Sequence, residues 1–542
     1  MKKSTLILLF CLIVGLCNAQ TKPNWLQVSG APIFDVKHYG AKGDGVTNDT
    51  AAIQAAISAA ASANGGCLLF PPGTYNTGAL LITGSNIGFY GYGATLSFLS
   101  GYDGLSNNAG SAGPYHDVER IHIEGLTFEG NHKVRHCVAF RGEAATGISA
   151  KKISIVNCTI KDPLFDGIHF FAGFPTDIPP GFAFSAAVPY RGEKNLMDQF
   201  YWWCRDIYIS NVDISKDLTG THVTARCGVN LESAGDAVVQ NSVIRGFNRA
   251  VHCENAINIS IDKNYFTNNI AEVSGEPSYS ADIVLSKAAP VFITNNLCET
   301  SSTLATRSIY LISAPTESFI SNNVLTVAPG GLACIFCDYN IGNHPAYISE
   351  QHYMTVQGNT LNWGYGVLLN DVVSTGSLPL VNIINNELNY SQGIYVAKGL
   401  SGNTSGNRIT TSGAIELSQC NNFVVAGNNF VNHPSYALRF SACSDVSVSA
   451  NNFYTGTASD TISFGDFNKD ISVSNNRIVG FKDVGIEFEN LFDPALATGT
   501  VMANNLLLFN AADTPTASAG IRAVDPSHIT LLNNVIRART AP

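Results

Sequence analysis

Charged residues are scarce in this chain. Lys, Arg, Asp and Glu make up 13% of its 542 residues, and acidic side chains outnumber basic ones by 41 to 31, which gives a formal net charge of −10. Lys and Arg never occur more than two in a row. Because binding to a phosphate backbone needs clustered basic side chains, this composition excludes nucleic acid as a partner.

Long apolar segments are absent beyond the N-terminus. Two lysines at the start, an apolar run from Leu6 to Leu16 and a small residue at Ala19 are typical of a secretory signal peptide over residues 1–19, followed by a leader over 20–32. The run is too short to cross a bilayer and no later stretch is long enough, so no membrane span is predicted. We expect a secreted protein, in a bacterial periplasm or outside the cell.

The sequence also lacks a complete metal-binding motif. Cys334 and Cys337 form a CxxC, but no second pair lies near enough to complete a zinc site. Several of the other cysteines, such as Cys253 and Cys443, occupy inward strand positions where a thiol acts as a small apolar filler. No cofactor and no metal ligand are predicted; calcium at the Asp-rich turns and one or two disulfides stay open.

Asparagine, by contrast, returns at regular intervals inside an apolar frame that reads roughly I-x-I-x-N-N-x-(L/I/F). The units end on Asn157, Asn211, Asn241, Asn264, Asn296, Asn323, Asn386, Asn429, Asn452, Asn476, Asn505 and Asn534, with weaker units at Asn359 and Asn407. Several intervals span 21 to 24 residues. A fixed period of this size indicates a solenoid, whose repeats bury their apolar faces by stacking on neighbours.

The spacing within each unit predicts an all-β fold, a right-handed single-stranded parallel β-helix. Apolar residues alternate with a period of two in short runs, so each repeat supplies three strands. Asparagine suits the turns, because it tolerates left-handed backbone angles and its amide can bond the same amide one rung away. Residues 33–540 are interpreted as one domain, and the repeats over 359–540 as mainly structural.

The sequence pattern of residues 33–98 predicts an N-terminal module that caps the solenoid. A strand and a Gly-rich turn precede a helix that begins at Asn48-Asp49-Thr50 and ends at Asn64-Gly65-Gly66. Ile53 and Ile57 lie on one face, so the helix can cover the open apolar end of the repeats. The two aspartates of GDGVTNDT are interpreted as turn and helix N-cap residues rather than as a metal loop.

This module resembles the N-terminal signature of the pectate-lyase-like superfamily, which includes polygalacturonases, rhamnogalacturonases, polyuronate lyases, epimerases and phage tailspikes. The matching residues are Asp35-Val36, Tyr39-Gly40-Ala41, Gly43-Asp44-Gly45, Asn48-Asp49-Thr50, Ala52-Ile53 and Phe70-Pro71-Pro72-Gly73-Thr74-Tyr75. The resemblance implies carbohydrate chemistry without naming the reaction. The polygalacturonase motifs NTD, GDD, GHG and RIK are absent, so three-aspartate hydrolysis is not implied.

The resemblance further implies a substrate groove along the strands that follow the asparagine turns. Aligned by their inward residues, these strands predict two outward columns. The first is Ala139, His169, Asn230, His252, Val284 and Tyr310, the second is Arg141, Phe171, Glu232, Glu254, Ser286 and Ile312, and Asp166, Arg226, Arg249 and Arg307 lie just before the strands. Titratable groups therefore gather over about five rungs, each about 4.8 Å from the next.

Eleven of these residues, with two tryptophans, form the predicted site. The catalytic candidates are Asp166, His169, Glu232, His252 and Glu254. The substrate-binding candidates are Arg141, Arg226, Asn230, Arg249, Arg307 and Tyr310, with Trp202 and Trp203 from an aromatic insertion over 172–204. Aromatic platforms in a loop of this length suit sugar rings, although the same aromatics could simply pin the loop to the solenoid.

Two mechanisms fit this set. In hydrolysis, Glu232 and Glu254 on adjacent rungs have about the spacing of a retaining pair, and Asp166 is the partner for a wider one. In β-elimination, His169, His252 or Tyr310 serves as base or acid, while Arg249, Arg307 or Asn230 neutralises charge. The segment Phe165–His169 resembles the Asp/His strand of alginate epimerases and lyases.

We therefore expect a secreted enzyme that cleaves glycosidic bonds of a polysaccharide or oligosaccharide. The low basic content, which disfavours a strongly anionic polymer, and the paired carboxylates place hydrolysis slightly ahead. A polysaccharide lyase or epimerase acting on a uronate polymer is the alternative. A non-catalytic glycan-binding β-helix is a second one. Monomer and trimer both stay open.

Overall fold

The computed structural model gives the positions of the following residues. It describes residues 32–108, 110, 113–143, 146–173, 203–217, 226–267, 280–286, 288, 290–300, 307–312, 317–338, 353–370, 380–397, 401–410, 413–432, 436–454, 460–465, 467–481, 483–489, 499–510, 519–523 and 529–539. The predicted signal peptide, nearly all of the leader, Trp202 and most of the aromatic insertion lie outside these ranges.

Short strands stack into three long sheets, here called sheets 1, 2 and 3. Sheet 1 contains Ile33–Asp35, Gly66–Leu69, Ile87–Tyr90, Val118–Glu124, Ala150–Val156, Cys204–Ser210, Ala234–Gln240, Ile257–Asp262, Val291–Thr294, Glu317–Ser321, Tyr353–Gln357, Leu380–Ile384, Ser401–Ser405, Asn421–Ala426, Ser444–Ser449, Lys469–Ser474, Thr500–Ala503 and Ile529–Leu532. Sheet 2 contains Asp44–Asn48, Gly73–Thr77, Ala94–Phe98, Thr127–Glu129, Thr159–Lys161, Asp213–Ser215, Val243–Arg245, Tyr265–Thr267, Leu297–Glu299, Val324–Thr326, Thr360–Asn362, Glu387–Asn389, Arg408–Thr410, Asn429–Val431, Asn452–Tyr454, Arg477–Phe481, Leu506–Asn510 and Val535–Arg539.

Sheet 3 is the sheet on which the candidate residues lie. Its strands are Leu80–Leu81, Asp103–Ser106, His136–Glu143, Asp166–Gly173, Cys227–Glu232, Arg249–Glu254, Ala281–Ser286, Arg307–Ile312, Ala333–Asp338, Tyr365–Asn370, Gly393–Ala397, Ala414–Ser418, Leu438–Ser441, Asp460–Phe464, Val484–Phe488 and Ala519–Ala523. Successive strands within each sheet pair in parallel, and the chain visits the three sheets in turn. The predicted all-β parallel β-helix is therefore confirmed.

The interior is a continuous apolar column. Valine, isoleucine, leucine and phenylalanine side chains from all three sheets form one buried cluster along the solenoid. Phenylalanines in equivalent positions stack from rung to rung, with 4.8 Å between the ring centroids of Phe440 and Phe464 and 4.4 Å between those of Phe464 and Phe488. The eleven cysteines of the described part of the chain are free thiols, and ten are buried, which confirms their role as core filler.

The predicted capping helix is present as Thr50–Ser62, preceded by a short 3-10 helix at Val36–Tyr39. Ile53 and Ile57 are buried against the end of the apolar column. In the Asp-rich segment, Asp44 begins a strand of sheet 2 and Asp49 stands at the start of the helix without capping it through its side chain. The Asp49 carboxylate instead accepts the backbone N–H groups of Lys42 and Gly43, at 2.7 and 3.0 Å. Within the described residues, no helix has the length and apolarity needed to cross a bilayer.

Two adjacent positions share the roles expected of the repeated asparagine. One position has a left-handed backbone and holds residues such as Asn157, Asn211 and Asn241, with φ of 55°, 56° and 49°. The next position is buried and forms a hydrogen-bonded amide ladder. Its members are Asn264, Asn296, Asn323, Asn359, Asn386, Asn407, Asn428, Asn451, Asn476, Asn505 and Asn534.

The ladder corrects two assignments made from the sequence. The predicted members Asn429 and Asn452 are the first residues of sheet 2 strands, and the ladder instead uses Asn428 and Asn451. Most repeats have two asparagines in a row, and these two repeats read GNN and ANN. Because the sequence does not show which of the two asparagines is buried, the alignment selected the second one in both repeats. Only the residue after the left-handed position points its amide into the stack.

Removing one ladder amide should destabilise the solenoid substantially. The buried Asn386 amide donates to Asn407 Oδ1 and Val356 O, at 3.0 and 2.9 Å, and accepts two N–H groups of Asn359. Because each buried polar group left unpaired costs roughly 1–3 kcal/mol, Asn386→Ala should lower the free energy of unfolding by about 3 kcal/mol in a urea titration.

The neighbouring left-handed position supplies a matched control. Asn385 has a φ of 54°, and the equivalent positions one rung before and one after are Gly358 and Gly406. Asn385→Gly should therefore change the free energy of unfolding by no more than about 0.5 kcal/mol. Equal effects of the two substitutions would contradict the division of roles between the two columns.

Candidate functional site

The register of sheet 3 confirms both predicted outward columns. Neighbours in the first are Ala139, His169, Asn230, His252, Val284 and Tyr310, and neighbours in the second are Arg141, Phe171, Glu232, Glu254, Ser286 and Ile312. These side chains are less open to solvent than a plain groove would be: His169 is 9% exposed and Asn230 is 3% exposed. Hydrogen bonds and charges therefore act here in a largely dehydrated environment.

A break in the alternation of the strand brings Asp166 onto the same outer face as His169. Residues three apart on a regular strand point to opposite faces. Here the alternation is interrupted, because two residues in a row face inward: Gly167, where a Cβ atom would lie 2.6 Å from Ile214 Cγ2, and Ile168, which belongs to the buried apolar cluster. Asp166 Oδ2 consequently reaches His169 Nδ1, at 3.4 Å.

Asp166, His136 and His169 form a chain of polar contacts. His136 Nδ1 lies 3.2 Å from Asp166 Oδ2, and His136 Nε2 lies 3.0 Å from His169 Nδ1. Asp166 Oδ1 accepts the backbone N–H of Cys227 at 2.9 Å. Burial alone would raise the pKa of Asp166, but the hydrogen bond from His136 and the nearby imidazoles outweigh it and hold that pKa well below its usual range.

The charge of Asp166 favours one assignment of the protons on the two histidine rings. We assign the tautomers from the negative charge of Asp166: a proton on His136 Nδ1, which lies 3.2 Å from Asp166 Oδ2, leaves His136 Nε2 to accept the N–H of His169 Nδ1 at 3.0 Å. The lone pair of His169 then lies on Nε2, which has no hydrogen-bond partner among the described residues. Burial and the neighbouring His136 keep the pKa of His169 well below its ordinary value, so the ring is neutral at pH 7.

Asn230 joins this chain to the next rungs. Its amide Nδ2 donates to Glu232 Oε1 at 2.8 Å and lies 3.4 Å from Asp166 Oδ2, while its Oδ1 lies 3.0 Å from His252 Nδ1. Burial, and then the negative charges of Asp166 and Glu254, raise the pKa of Glu232 despite the bond from Asn230. Glu232 Oε2 is 4.0 Å from His169 Nε2. A carboxyl whose pKa is raised thus faces a neutral imidazole.

His252 and Glu254 complete the cluster on the following rung. Burial and then the positive charge of Arg249 lower the pKa of His252 from 6.5 to about 3, so this ring is also neutral. Two sets of side chains have the geometry of candidate metal ligands, with the ligand atoms of each set within 4.8 Å of one another. The first set is His136, Asp166 and His169, and the second is Glu232, His252 and Glu254.

The sequence missed two members of the site, His136 and Asp103. The register places Asp103, His136 and Asp166 in one column, each opposite the next. Asp103 pairs with Arg141 through Arg141 Nη2, at 3.3 Å, and burial raises the pKa of Asp103. Extending the alignment of residues just before the strands by two rungs towards the N-terminus would have found both.

Other predicted residues lie elsewhere on the sheet or face away from it. Arg226 is one residue out of the predicted column, because Cys227 rather than Arg226 pairs with Arg249. Arg307 stacks on Tyr310, with Arg307 Cζ 4.5 Å from the ring centroid, beside a separate buried apolar cluster that contains Tyr310. Trp203 is 2% exposed, so its indole is packed away rather than presented to a sugar ring. Trp202 is outside the described residues.

Charged side chains also return on the later rungs. The first outward column continues through Glu416, Arg439, Ser463, Glu487 and Arg522. Arg522 donates from Nε to Glu487 Oε1 at 2.7 Å. The later repeats, interpreted from the sequence as mainly structural, thus carry charged side chains too, and a pair of this kind is typical of an ordinary sheet surface. Their mainly structural role stays a prediction.

The two neutral histidines predict a loss of stability in acid. A group whose folded pKa lies below its unfolded value contributes stability that disappears as the pH falls below the unfolded pKa. For His252 the window runs from about 6.5 down to about 3, and His169 acts in the same direction. The free energy of unfolding should therefore fall by about 1 kcal/mol per pH unit and per histidine below pH 6.5.

Urea titrations at several pH values would measure this loss. His252→Asn keeps a donor near the position of Nδ1 but does not titrate, so its free energy of unfolding should fall less steeply with acid than that of the wild type. A variant that follows the wild-type pH dependence would show that His252 does not carry the effect.

Two family models match the chain. Residues 33–162 match the model described as rhamnogalacturonase A/epimerase, pectate lyase-like. Residues 346–493 match the right-handed β-helix region. The first match includes Asp103 and His136 of the site, and the second lies on the later rungs. With the three sheets described above, they confirm the predicted right-handed parallel β-helix and its pectate-lyase-like character.

Curated relatives match a shorter part of the chain. Alginate lyase 7 of Azotobacter vinelandii is 38% identical over 109 residues, which are 18% of this chain and 13% of that protein. Mannuronan C5-epimerase AlgE3 of the same bacterium is 37% identical over 109 residues, 18% of this chain and 6% of that protein. The chain thus shares only a small part of the length of these relatives.

A solved structure aligns over a greater length. The A-module of mannuronan C-5 epimerase AlgE6 of Azotobacter vinelandii covers 94% of this chain and 100% of that module, at 13% identity and a TM-score of 0.30.

Proposed function

This chain is a pectate-lyase-like right-handed parallel β-helix, and we propose that it removes the C5 proton from a uronate residue of a polysaccharide, as a lyase or an epimerase. Both reactions begin with this step. The named activities of the relatives, alginate lyase and mannuronan C5-epimerase, support this alternative better than the hydrolysis that the sequence slightly favoured. Alginate is therefore the first polymer to test.

The observation that carries the proposal is the free Nε2 of His169. A general base must be unprotonated at the working pH and must present a lone pair to the reacting C–H bond. The contacts of Asp166 and His136 orient the ring so that Nε2 carries the lone pair, and burial keeps it neutral. When Nε2 takes a proton, the Asp166 carboxylate stabilises the positive charge that spreads over the two imidazoles.

Glu232 is the matching general acid. Its raised pKa favours the protonated carboxyl, and its Oε2 lies 4.0 Å from His169 Nε2. Two groups whose surroundings push their proton affinities in opposite directions are the pattern of an acid and a base that work together. Asn230 holds the carboxyl in place through its bond to Oε1.

Positive charge flanks the two histidines. The pKa of His169 is lowered, after burial and His136, by Arg141, and that of His252 is lowered, after burial, by Arg249. Removal of the C5 proton leaves negative charge that spreads into the uronate carboxylate, and guanidinium groups at this position stabilise it. The net charge of −10 argued against an anionic polymer, but a guanidinium group beside the site, such as that of Arg249, favours binding of a carboxylate locally.

In elimination the bonds change as follows. The C5 proton moves to His169 Nε2, and the electrons of that C–H bond form a double bond between C4 and C5. The bond between C4 and the glycosidic oxygen breaks, and this oxygen takes the proton of Glu232. In epimerisation the glycosidic bond stays intact, and a proton returns to C5 from the opposite face of the sugar.

Retaining hydrolysis is the second candidate, supported by one observation. Carboxylate oxygens of Glu232 and Glu254 lie within 4.8 Å of each other, while the carboxyl groups of retaining enzymes lie about 5–5.5 Å apart. Hydrolysis leaves the contacts among Asp166, His136 and His169 without a role, whereas proton abstraction uses them. We therefore rank hydrolysis second.

One assay distinguishes elimination, epimerisation and hydrolysis. The protein is incubated with alginate, with other uronate polymers and with the same polymers after reduction of their carboxylates to alcohols. Reducing ends, ultraviolet absorbance of unsaturated products and the C5 proton signal in deuterated water are followed together.

A lyase yields reducing ends with ultraviolet absorbance, and an epimerase exchanges C5 hydrogen without new ends. Both should leave the reduced polymers untouched. New ends without absorbance or exchange would instead establish hydrolysis, and no change in any polymer would contradict the proposal.

A further inference from the structure

A row of alternating aromatic and guanidinium groups borders the site. It consists of Tyr102, Arg135, Phe165 and Arg226, each one residue before a strand of sheet 3. Backbone hydrogen bonds tie these four into consecutive rungs: Arg135 N–H donates to Tyr102 O, Phe165 N–H to Arg135 O, and Arg226 N–H to Phe165 O, at 2.8, 2.9 and 3.3 Å. We call this row the arginine ledge.

Aromatic rings hold the guanidinium groups of the ledge in position. Arg135 Cζ lies 4.8 Å from the ring centroid of Tyr102 and 4.7 Å from that of Phe165, so this guanidinium sits between two rings. Arg135 Nη1 also donates to the Tyr102 hydroxyl, at 2.5 Å. Arg226 Cζ lies 5.5 Å from the Phe165 centroid. Stacking orders an arginine without using its donors, so the terminal donors of Arg226 and the Nη2 donors of Arg135 stay available for a ligand.

No protein carboxylate pairs directly with these two arginines in the described part of the chain, and Arg135 acts on Asp103 only through space, as one of the charges that offset the raised pKa of that carboxyl. Neither forms a salt bridge within the described residues, whereas Arg141 pairs with Asp103. Arg135 Nε is buried without a hydrogen-bond partner in the same part of the chain. In a chain of net charge −10, two cations that are held by aromatic rings and form no salt bridge in the described residues, beside a cluster of titratable groups, indicate an anionic ligand.

We propose that the arginine ledge binds carboxylates of the uronate polymer on either side of the reacting sugar. This inference rests on the proposed function, because it takes a uronate chain as the ligand. The ledge follows the axis of the solenoid, and its arginines are two rungs apart, or about 10 Å. A polymer lying along the axis would thus place carboxylates of different sugars on Arg135 and Arg226. The ledge holds and positions the chain, and the chemistry remains with His169.

Equilibrium binding tests this inference apart from turnover. In a His169→Ala background the polymer stays intact, and its affinity can be measured by affinity electrophoresis with a uronate polymer and with its carboxyl-reduced form. Arg135→Gln and Arg226→Gln should each raise the Kd for the uronate polymer about tenfold. Arg135→Lys should weaken binding nearly as much, because an ammonium group cannot stack between two rings.

Arg245→Gln is the matched control. It removes the same charge from sheet 2, where Arg245 pairs with Asp213, and it should leave the Kd unchanged. Wild-type affinity in both ledge variants would overturn the inference and leave the proposed function standing. Equal loss for the carboxyl-reduced polymer would also overturn it, since the contact would then not involve carboxylates. Failure of the background protein to bind any uronate polymer would count against the proposed function and the ledge together.

Discussion

Replacing His169 by alanine should lower kcat on the preferred uronate polymer by about 10²–10⁴-fold, the usual contribution of a positioned general base. The reason is that the contacts of Asp166 and His136 orient the ring of His169 so that its lone pair lies on Nε2, and the substitution removes this lone pair. KM should change little, because the base acts on the C–H bond and not on the carboxylate that binds. Initial rates over a range of polymer concentrations give both constants.

Two further variants make this result specific. His169→Gln fills a similar volume without a base, so it should be as inactive as His169→Ala and should unfold at a urea concentration close to that of the wild type. His38→Ala removes an exposed histidine outside the site and should keep full activity. If His169→Gln retained wild-type kcat, the base would have to be another group.

Glu232→Gln should lower kcat for elimination by about 10²–10³-fold while leaving proton removal intact. Gln keeps an oxygen that can accept the Asn230 bond, but it has no proton to give to the departing glycosidic oxygen. Exchange of the C5 hydrogen with deuterated water should therefore continue in this variant after unsaturated product has almost ceased to form. The ratio of exchange to elimination is the quantity to compare with the wild type.

The pH dependence supplies a second readout for Glu232. The raised pKa of this carboxyl means that activity should decline on the alkaline side as the proton is lost, and this decline should vanish in Glu232→Gln. Glu387→Gln, which removes a partner of Arg408 on sheet 2, is the control for loss of a carboxylate and should behave like the wild type. Loss of exchange and elimination in equal proportion would show that Glu232 acts before or during proton removal.

The sequence predicted the solenoid and the outward columns because both follow from a period of two and from regular rungs. Once the inward residues align, the register fixes which side chains are neighbours, and His169, Asn230 and His252 follow in order. The choice between Asn428 and Asn429 could not be made in the same way. Two adjacent asparagines look equivalent in a repeat, and only the backbone angle of the preceding residue separates them.

The active arrangement within the columns was harder to predict. Asp166 joins His169 because Gly167 and Ile168 both face inward, and a strict alternation of inward and outward residues does not predict this. His136 was overlooked because the alignment began at Cys137, one residue too late. The burial of Trp203 depends on tertiary packing that composition does not encode, so an aromatic-rich insertion gave a misleading picture of its exposure.

The central claim is that the C5 proton leaves in a step that His169 carries out, and a primary isotope effect tests it most directly. A uronate oligosaccharide with deuterium at C5 is compared with the unlabelled one under conditions that report kcat/KM. We predict slower turnover of the deuterated substrate by the wild type, together with loss of product from both substrates in His169→Gln. Equal rates for the two substrates, with reducing ends that form while deuterium stays at C5, would contradict the account.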